Sequence, residues 1–276
     1  MSDDITEVLA LRFSARPECM ASEFHYRYES YGLPDVAVGI DYFFWVARST
    51  SQITVIDCGF SEETALRRDR KVVTSPVELL SRVGVAPGDV DNVILSHMHF
   101  DHVGNTGLFP NATFYMARHE LEYWTGPHRD HPAFCWSVEG NEVRELEELA
   151  RQGRLVQVAS GVEIAPGIVV EEFSGHTPGQ LVTRIAATDR QVVLASDALH
   201  FYDEMDRDRP ALLFTDMERL LDSYAALLKL DAQPDTYMIP GHDPVVAHEY
   251  VEVKPDVFDL LRRREGVRLR AQRERE

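Results

Sequence analysis

The chain is poor in cysteine, in basic residues and in long apolar runs, and each shortage excludes something. Its 276 residues include three cysteines, Cys19, Cys58 and Cys135. They are widely separated and form no Cys-x-x-Cys pair, so no disulfide framework is expected, and the odd count points to a reducing compartment. Lys and Arg number 28 against 46 Asp and Glu, for a formal net charge of −18. Binding to a phosphate backbone relies on clustered positive charge, so no nucleic-acid partner is expected. No run of about 18 apolar residues occurs, which leaves no spanning helix and no membrane partner to expect. The opening residues Met1-Ser2-Asp3-Asp4-Ile5 have neither the basic nor the apolar region of a secretory signal. A cytoplasmic protein is the expectation.

What the chain does have is 44% hydrophobic residues, enough for a substantial core without a structural metal. With no internal repeat and no low-complexity linker, a single domain over residues 1–276 is expected. Apolar, β-prone runs predict strands near residues 7–14, 42–46, 53–57, 93–96, 113–116, 163–173, 181–196 and 236–239. Ser75-Pro76-Val77-Glu78 carries an N-cap, a first-position proline and a third-position glutamate, so a helix opens there and Gly84 ends it. Further helices are predicted at 119–123, 141–151 and 216–230, the last with an apolar stripe of Leu220, Leu221, Tyr224, Leu227 and Leu228. Residues 201–209 read as irregular and 257–269 as a final helix, with the basic run 262–275 as its solvated end. The Pro-rich stretch 126–140, too long for a plain connection, is a candidate lid or pocket wall.

The chemistry concentrates in His97-Met98-His99-Phe100-Asp101-His102. Three imidazoles and a carboxylate within six residues are a donor set suited to zinc or a similar divalent ion. In an extended segment His97 and His99 point to one side, and Asp101 and His102 follow where the chain turns. One segment can therefore serve two metals. Three more potential ligands stand at the ends of predicted strands, on turns rich in Gly or Pro: His176 in Gly175-His176-Thr177-Pro178-Gly179, Asp197 after Val192–Ser196, and His242 in Pro240-Gly241-His242-Asp243-Pro244. Strand ends gathered at one sheet edge would bring all of them together. His25, His119 and His248 lack partners at ligand spacing and read as surface or ordinary hydrogen-bonding residues. His128 and His131 read as members of an exposed loop.

The His-x-His-x-Asp-His block, the later Gly-His, the Asp after a strand and the late Gly-His resemble the metallo-β-lactamase superfamily, over roughly residues 43–246. The resemblance implies an α/β fold, an αββα sandwich of two mixed β-sheets flanked by helices. It implies two divalent ions per chain, zinc foremost, one held by His97, His99 and His176 and the other by Asp101, His102 and His242, with Asp197 bridging. Asp57, in Val55-Ile56-Asp57-Cys58-Gly59, matches an early Asp that supports the ligands. Keeping His102 and Asp197 sets the chain apart from the antibiotic-hydrolysing members. The run from Ser96 to Asn105 looks most like the N-acyl homoserine lactonases and related lactonases.

The implied activity is a dinuclear hydrolase that opens an N-acyl homoserine lactone or a related small lactone. Two ions sharing a water would make hydroxide available near neutral pH for attack on the ester carbonyl. Asp101 would move the proton to the leaving alkoxide. Where the lactonases carry a Tyr three residues after the bridging Asp, this chain has His200, with Tyr202 two further on; either is a candidate to donate a hydrogen bond to the carbonyl. Aromatics of the Phe24–Tyr31 region and of Phe134–Trp136 are candidates for an acyl pocket. The alternative activity is a thioesterase resembling the hydroxyacylglutathione hydrolases. The expected partner is a small lactone or ester, and a homodimer is compatible with this reading.

Overall fold

The computed structural model describes residues 4–127, 129–132 and 134–265. Among these, one eight-stranded sheet contains β1 (Glu7–Arg16), β2 (Ile40–Arg48), β3 (Ile53–Ile56), β4 (Asn92–Ile94), β5 (Thr113–Ala117), β6 (Leu155–Val158), β12 (Tyr250–Lys254) and β13 (Val257–Arg263), in the order β12-β13-β1-β2-β3-β4-β5-β6. The other sheet holds β7 (Val162–Ala165), β8 (Ile168–Glu172), β9 (Leu181–Ala186), β10 (Gln191–Ser196) and β11 (Thr236–Pro240), in the order β11-β10-β9-β8-β7. Both sheets are mixed. β3 through β6 run parallel and the rest of the first sheet antiparallel, while β10 and β11 are the parallel pair of the second.

Alternation along single strands produces the layers, because successive side chains point to opposite faces. Phe43 and Trp45 of β2 face Val192 and Leu194 of β10 across the space between the sheets. Phe44 and Val46 of β2 point outward to a second cluster with Leu79 and Leu80, and with Trp124 and Leu146. Val193 and Ala195 of β10 point the other way, against Leu220, Tyr224 and Leu227. The helices that close these outer faces include α1 (Glu62–Arg67), α2 (Pro76–Arg82), the short α3 (Phe100–Val103), α4 (Arg118–Thr125), α5 (Gly140–Arg151), α6 (Tyr202–Asp206), α7 (Met217–Asp231) and α8 (Val245–Glu249). This is the αββα sandwich expected from the motifs. No described helix is long and apolar enough to cross a membrane.

Several expectations are met by local physics. Ser75 Oγ accepts the Glu78 amide and caps α2, and Asp216 does the same for α7 through Arg219. Others are corrected. Residues 257–263 form β13 rather than a helix, because the free edge of β1 takes Val257 opposite Leu11 and Phe258 opposite Ala10; the basic run beyond residue 265 lies outside the described residues. The stretch 201–209 contains α6, closed by a backbone bond from Glu204 to Phe201. Along α7 only Leu220, Tyr224 and Leu227 of the stripe are buried; Leu221 and Leu228 remain about two-fifths exposed, at 40% and 42%.

Candidate metal centre

Both sheets deliver side chains to one edge of the sandwich. β3 leads into Asp57 and β4 into the His97 loop; β8 leads into His176, β10 into Asp197 and β11 into His242. Two of the junctions are held in an unusual backbone conformation. Asp57 and Ser196 have φ of 61° and 46°, left-handed values that non-glycine residues rarely adopt and that cluster at functional sites. Gly241 has a steric reason to be glycine: a Cβ there would lie 2.8 Å from Asp197 Oδ1 and from Ser196 backbone atoms.

The seven residues singled out in the sequence converge as two groups. His97, His99, His176 and Asp197 form one, and Asp101, His102 and His242 the other; each group has one potential ligand atom per residue, all within 4.8 Å of one another. Asp197 joins them. Its Oδ2 lies 3.6 Å from His97 Nε2 and 3.3 Å from His176 Nε2, while its Oδ1 lies 3.3 Å from His102 Nε2 and 3.1 Å from His242 Nε2. Asp101 Oδ2 completes the second group, 3.6 Å from His242 Nε2 and 3.8 Å from His102 Nε2.

Outer contacts decide which imidazole nitrogen faces inward. His102 Nδ1 is 2.7 Å from Asp57 Oδ2, His176 Nδ1 is 3.0 Å from the Leu213 carbonyl, and His242 Nδ1 is 2.9 Å from the Asp41 carbonyl. Each of those partners accepts a proton from Nδ1, which leaves the Nε2 lone pair directed at the cluster. Asp57 is itself held by the Ser96 amide at 2.7 Å and by the Ser96 and Ser196 hydroxyls at 2.9 and 3.3 Å.

The donor set fits divalent cations on three observations. His97 Nε2, His102 Nε2 and Asp197 Oδ1 are buried without a hydrogen-bond partner among the described residues, yet they point at one another, and a buried unpaired polar atom is costly. Burial, reinforced for the first two by the neighbouring imidazoles, holds His97, His99 and His176 below the ordinary imidazole value, so they present lone pairs. At His102 burial works against the charged form, but Asp197, Asp57 and Asp101 together hold it well above that value. Three buried carboxylates thus call for positive charge at one place, which a divalent ion supplies.

Other predicted residues fall variously. His200 stands at the pocket, with Nε2 3.2 Å from Asp197 Oδ2 and Nδ1 3.1 Å from Glu204 Oε1. Tyr202 is turned away: its hydroxyl donates to the Met238 carbonyl at 2.6 Å inside the core, so it leaves the catalytic set. Phe24 and Trp136 line the cavity beside the cluster, whose volume is about 290 Å³. Phe134 instead packs on Tyr123, and Tyr28 and Tyr31 bond to the carbonyls of Pro34 and Tyr26. His25 and His119 make ordinary hydrogen bonds to the Arg209 carbonyl and to Glu172; His131 is in the exposed loop, and His128 lies outside the described residues.

Two positioning residues escaped the sequence reading. Fully buried Glu120 accepts from the Met98 amide at 2.9 Å, the Trp124 indole at 2.8 Å and the Gly179 amide at 2.9 Å, tying the His97–His99 loop to the loop after His176. Its signal was an acid on the apolar face of α4, one turn before Trp124. Glu204, also buried, accepts from the His200 amide and the Tyr224 hydroxyl, and nothing in its charged neighbourhood distinguished it.

With this geometry, comparisons with known proteins carry weight. A family model described as the metallo-beta-lactamase superfamily matches residues 41–242. N-acyl homoserine lactonase AttM of Rhizobium radiobacter is 28% identical over 178 residues, which are 61% of this chain and 64% of the relative. N-acyl homoserine lactonase AiiA of Bacillus thuringiensis subsp. kurstaki is 28% identical over 169 residues, 60% of this chain and 61% of that protein. The chain therefore spans a little under two thirds of the length of these relatives. A crystal structure of a quorum-quenching N-acyl homoserine lactone lactonase matches with TM-score 0.73 at 20% identity, covering 94% of this chain and 100% of that one. AidC, a dizinc quorum-quenching lactonase, matches with TM-score 0.68 at 18% identity, covering 87% and 89%. At such identities the structural likeness establishes the fold.

Proposed function

The chain belongs to the metallo-beta-lactamase superfamily, and we propose that it is a dinuclear metal-dependent hydrolase that opens a lactone, an N-acyl homoserine lactone or a related small cyclic ester. The observation that carries this reading is the division of the Asp197 carboxylate, one oxygen toward His97 and His176 and the other toward His102 and His242. A carboxylate so shared suits two ions rather than one. The names of the curated relatives support the lactone as substrate. Zinc is the ion we propose, from the imidazole and carboxylate donors.

His97, His99 and His176 would hold one ion, Asp101, His102 and His242 the other, and Asp197 both. When bound, the pair supplies an acidified water and polarises the ester carbonyl. Asp101, on the pocket side of the cluster, takes the proton of the attacking water and returns it to the ring oxygen as the lactone opens. His200, held by Glu204 at 3.1 Å, donates a hydrogen bond to the carbonyl oxygen from the place where the resembling lactonases have a Tyr. Phe24 and Trp136 supply an apolar wall that excludes water beside the reacting bond.

The test is metal content by plasma mass spectrometry, paired with pH-indicator assays on lactones and acyl-thioesters before and after chelation. Near two metals per chain with chelator-sensitive acid release from a lactone is expected. Two metals with turnover of thioesters alone would replace the lactonase by the thioesterase. A protein that binds no divalent metal overturns the mechanism.

A further inference from the structure

The cavity at the metal centre is not purely apolar: two guanidinium groups, Arg16 and Arg70, line it together with Asp101, His200 and His242. They come from adjoining pieces of chain. Arg16 ends β1, and Arg70 sits in the loop after α1, which Ser14 and Phe13 of β1 fasten through bonds to the Lys71 carbonyl at 2.7 Å and from the Val73 amide at 2.8 Å. Arg70 is set in place by its own backbone, with Nη1 donating to the carbonyls of Arg68 and Asp69 at 3.0 and 3.2 Å. Its Nε is buried with no hydrogen-bond partner among the described residues. No ion pair involving Arg70 occurs among the described residues, in a chain where acids outnumber bases 46 to 28.

Tyr42 connects these cations to the reacting centre. Its ring packs edge-on against the His242 imidazole, centroids 5.2 Å apart. Its buried hydroxyl is hydrogen-bonded to Arg70 and close enough to Asp101 and Arg16 to interact with their charges. Both guanidiniums, Tyr42, Phe24 and Ile40 line the same cavity as the ligand cluster. Two acids temper this wall. Glu18 lies 3.4 Å from Arg16 Nε but is largely exposed, and Glu23, a lining residue, uses Oε1 to accept the Met20 amide at 2.8 Å. Arg16 is thus partly neutralised and Arg70 is not.

We infer that the substrate carries an anionic group, a carboxylate on a short apolar arm, seated by Arg70 with help from Arg16 while its ester carbonyl faces the metal ligands. A guanidinium presents a planar fork that matches a carboxylate, and one already held at the cavity wall by its backbone contacts needs little reorganisation to bind it. A cavity of about 290 Å³ suits such a compact molecule better than a long acyl chain. The net charge of −18 works against an anion at long range, but salt screens that beyond about 10 Å, so the selection is local. This inference rests on the lactonase reading for the reacting bond and adds the chemistry of the rest of the substrate.

The experiment compares γ-butyrolactones bearing a carboxyethyl or a propyl side chain of equal length, hydrolysed by the metal-loaded full-length protein and by its Arg70→Gln, Arg70→Lys and Arg16→Gln variants. The carboxylated lactone is expected to be favoured at least tenfold in kcat/KM, chiefly through KM. Arg70→Gln should shrink that ratio at least tenfold, Arg16→Gln less, and Arg70→Lys should restore part of it. A wild-type preference for the propyl lactone, or a ratio untouched by Arg70→Gln, overturns the inference. If neither lactone is opened by protein holding two metals, the lactonase reading fails, and calorimetric binding of glutarate against butyrate decides the anion site separately. A glutarate advantage lost in Arg70→Gln upholds the site, and equal affinities in wild type and variant reject it.

Discussion

Asp57 and His102 are bound to one another at 2.7 Å, Oδ2 to Nδ1, with both side chains essentially inaccessible to solvent. The contact crosses from the end of β3 to α3, the short helix after β4, and it turns the His102 Nε2 lone pair toward Asp197 and Asp101. It fixes the second group of ligands without touching the reaction.

Replacing Asp57 by Asn keeps the shape and suits the left-handed backbone at φ 61°, but removes the charge that orients His102. Affinity for the ion held by Asp101, His102 and His242 should fall about 10–100-fold, while the group of three histidines around Asp197 retains its ion. Chelator competition followed by metal counting reads this directly; two equally retained metals would remove Asp57 from the supporting role.

Gly241→Ala places a methyl 2.8 Å from Asp197 Oδ1 and against the backbone of Ser196. The bridging carboxylate must shift, and a displacement near 1 Å at a reacting centre costs about 10²-fold in rate. Lactone kcat should drop by that order, and the melting temperature should fall as well, because backbone atoms of Ser196 must also give way. An unchanged kcat would mean that the β11 turn can retreat instead.

Glu120→Ala leaves three buried donors, the Met98 and Gly179 amides and the Trp124 indole, without their acceptor. An unsatisfied buried group costs about 1–3 kcal/mol, so destabilisation of roughly 3 kcal/mol or more is expected in urea unfolding. Metal affinity should weaken as well, since the His97–His99 loop loses its anchor; loss of stability with metal affinity intact would confine Glu120 to packing.

Glu142 sets a pH dependence. Its carboxyl, on the buried face of α5, has Oε1 3.4 Å from the Thr64 hydroxyl and Oε2 without a hydrogen-bond partner among the described residues; burial first, then Glu139, raises its pKa from 4.5 to about 8. The folded state therefore holds a proton that the unfolded chain releases above about pH 4.5. The contribution to stability is complete below that pH, declines as pH rises to about 8, and is flat beyond, a span on the order of 3–5 kcal/mol. Glu142→Gln should abolish this decline and be the more stable protein at pH 8. Unfolding free energies of both proteins at pH 5, 7 and 8.5 test it, and parallel curves would reject the assignment.

The proposed metal ligands were legible because they are local: four lie within six residues, and His176, Asp197 and His242 each follow an apolar, β-prone run. The same locality misled at residues 257–263, where Leu260, Leu261 and the arginines suit a helix and only the open edge of β1 made them a strand. It misled at Tyr202 too, since position along the chain does not say that the hydroxyl turns back to Met238. Glu120 left only the faint signal of an acid one turn before Trp124, and Arg70 left none, because their other partners are distant in sequence or backbone atoms, which carry no pattern.

The sequence by itself determined the strands that lead into the site, their alternating faces, and the kinds of donor at their ends, because side-chain period and ligand chemistry are properties of short segments. Tertiary structure alone decided that Asp197 divides its oxygens between two sets of histidines, that Glu120 ties two loops of the site together, and that Arg70 lines the cavity beside them. These relationships join residues tens of positions apart on two sheets, and only packing the sheets face to face fixes the few ångströms on which they depend.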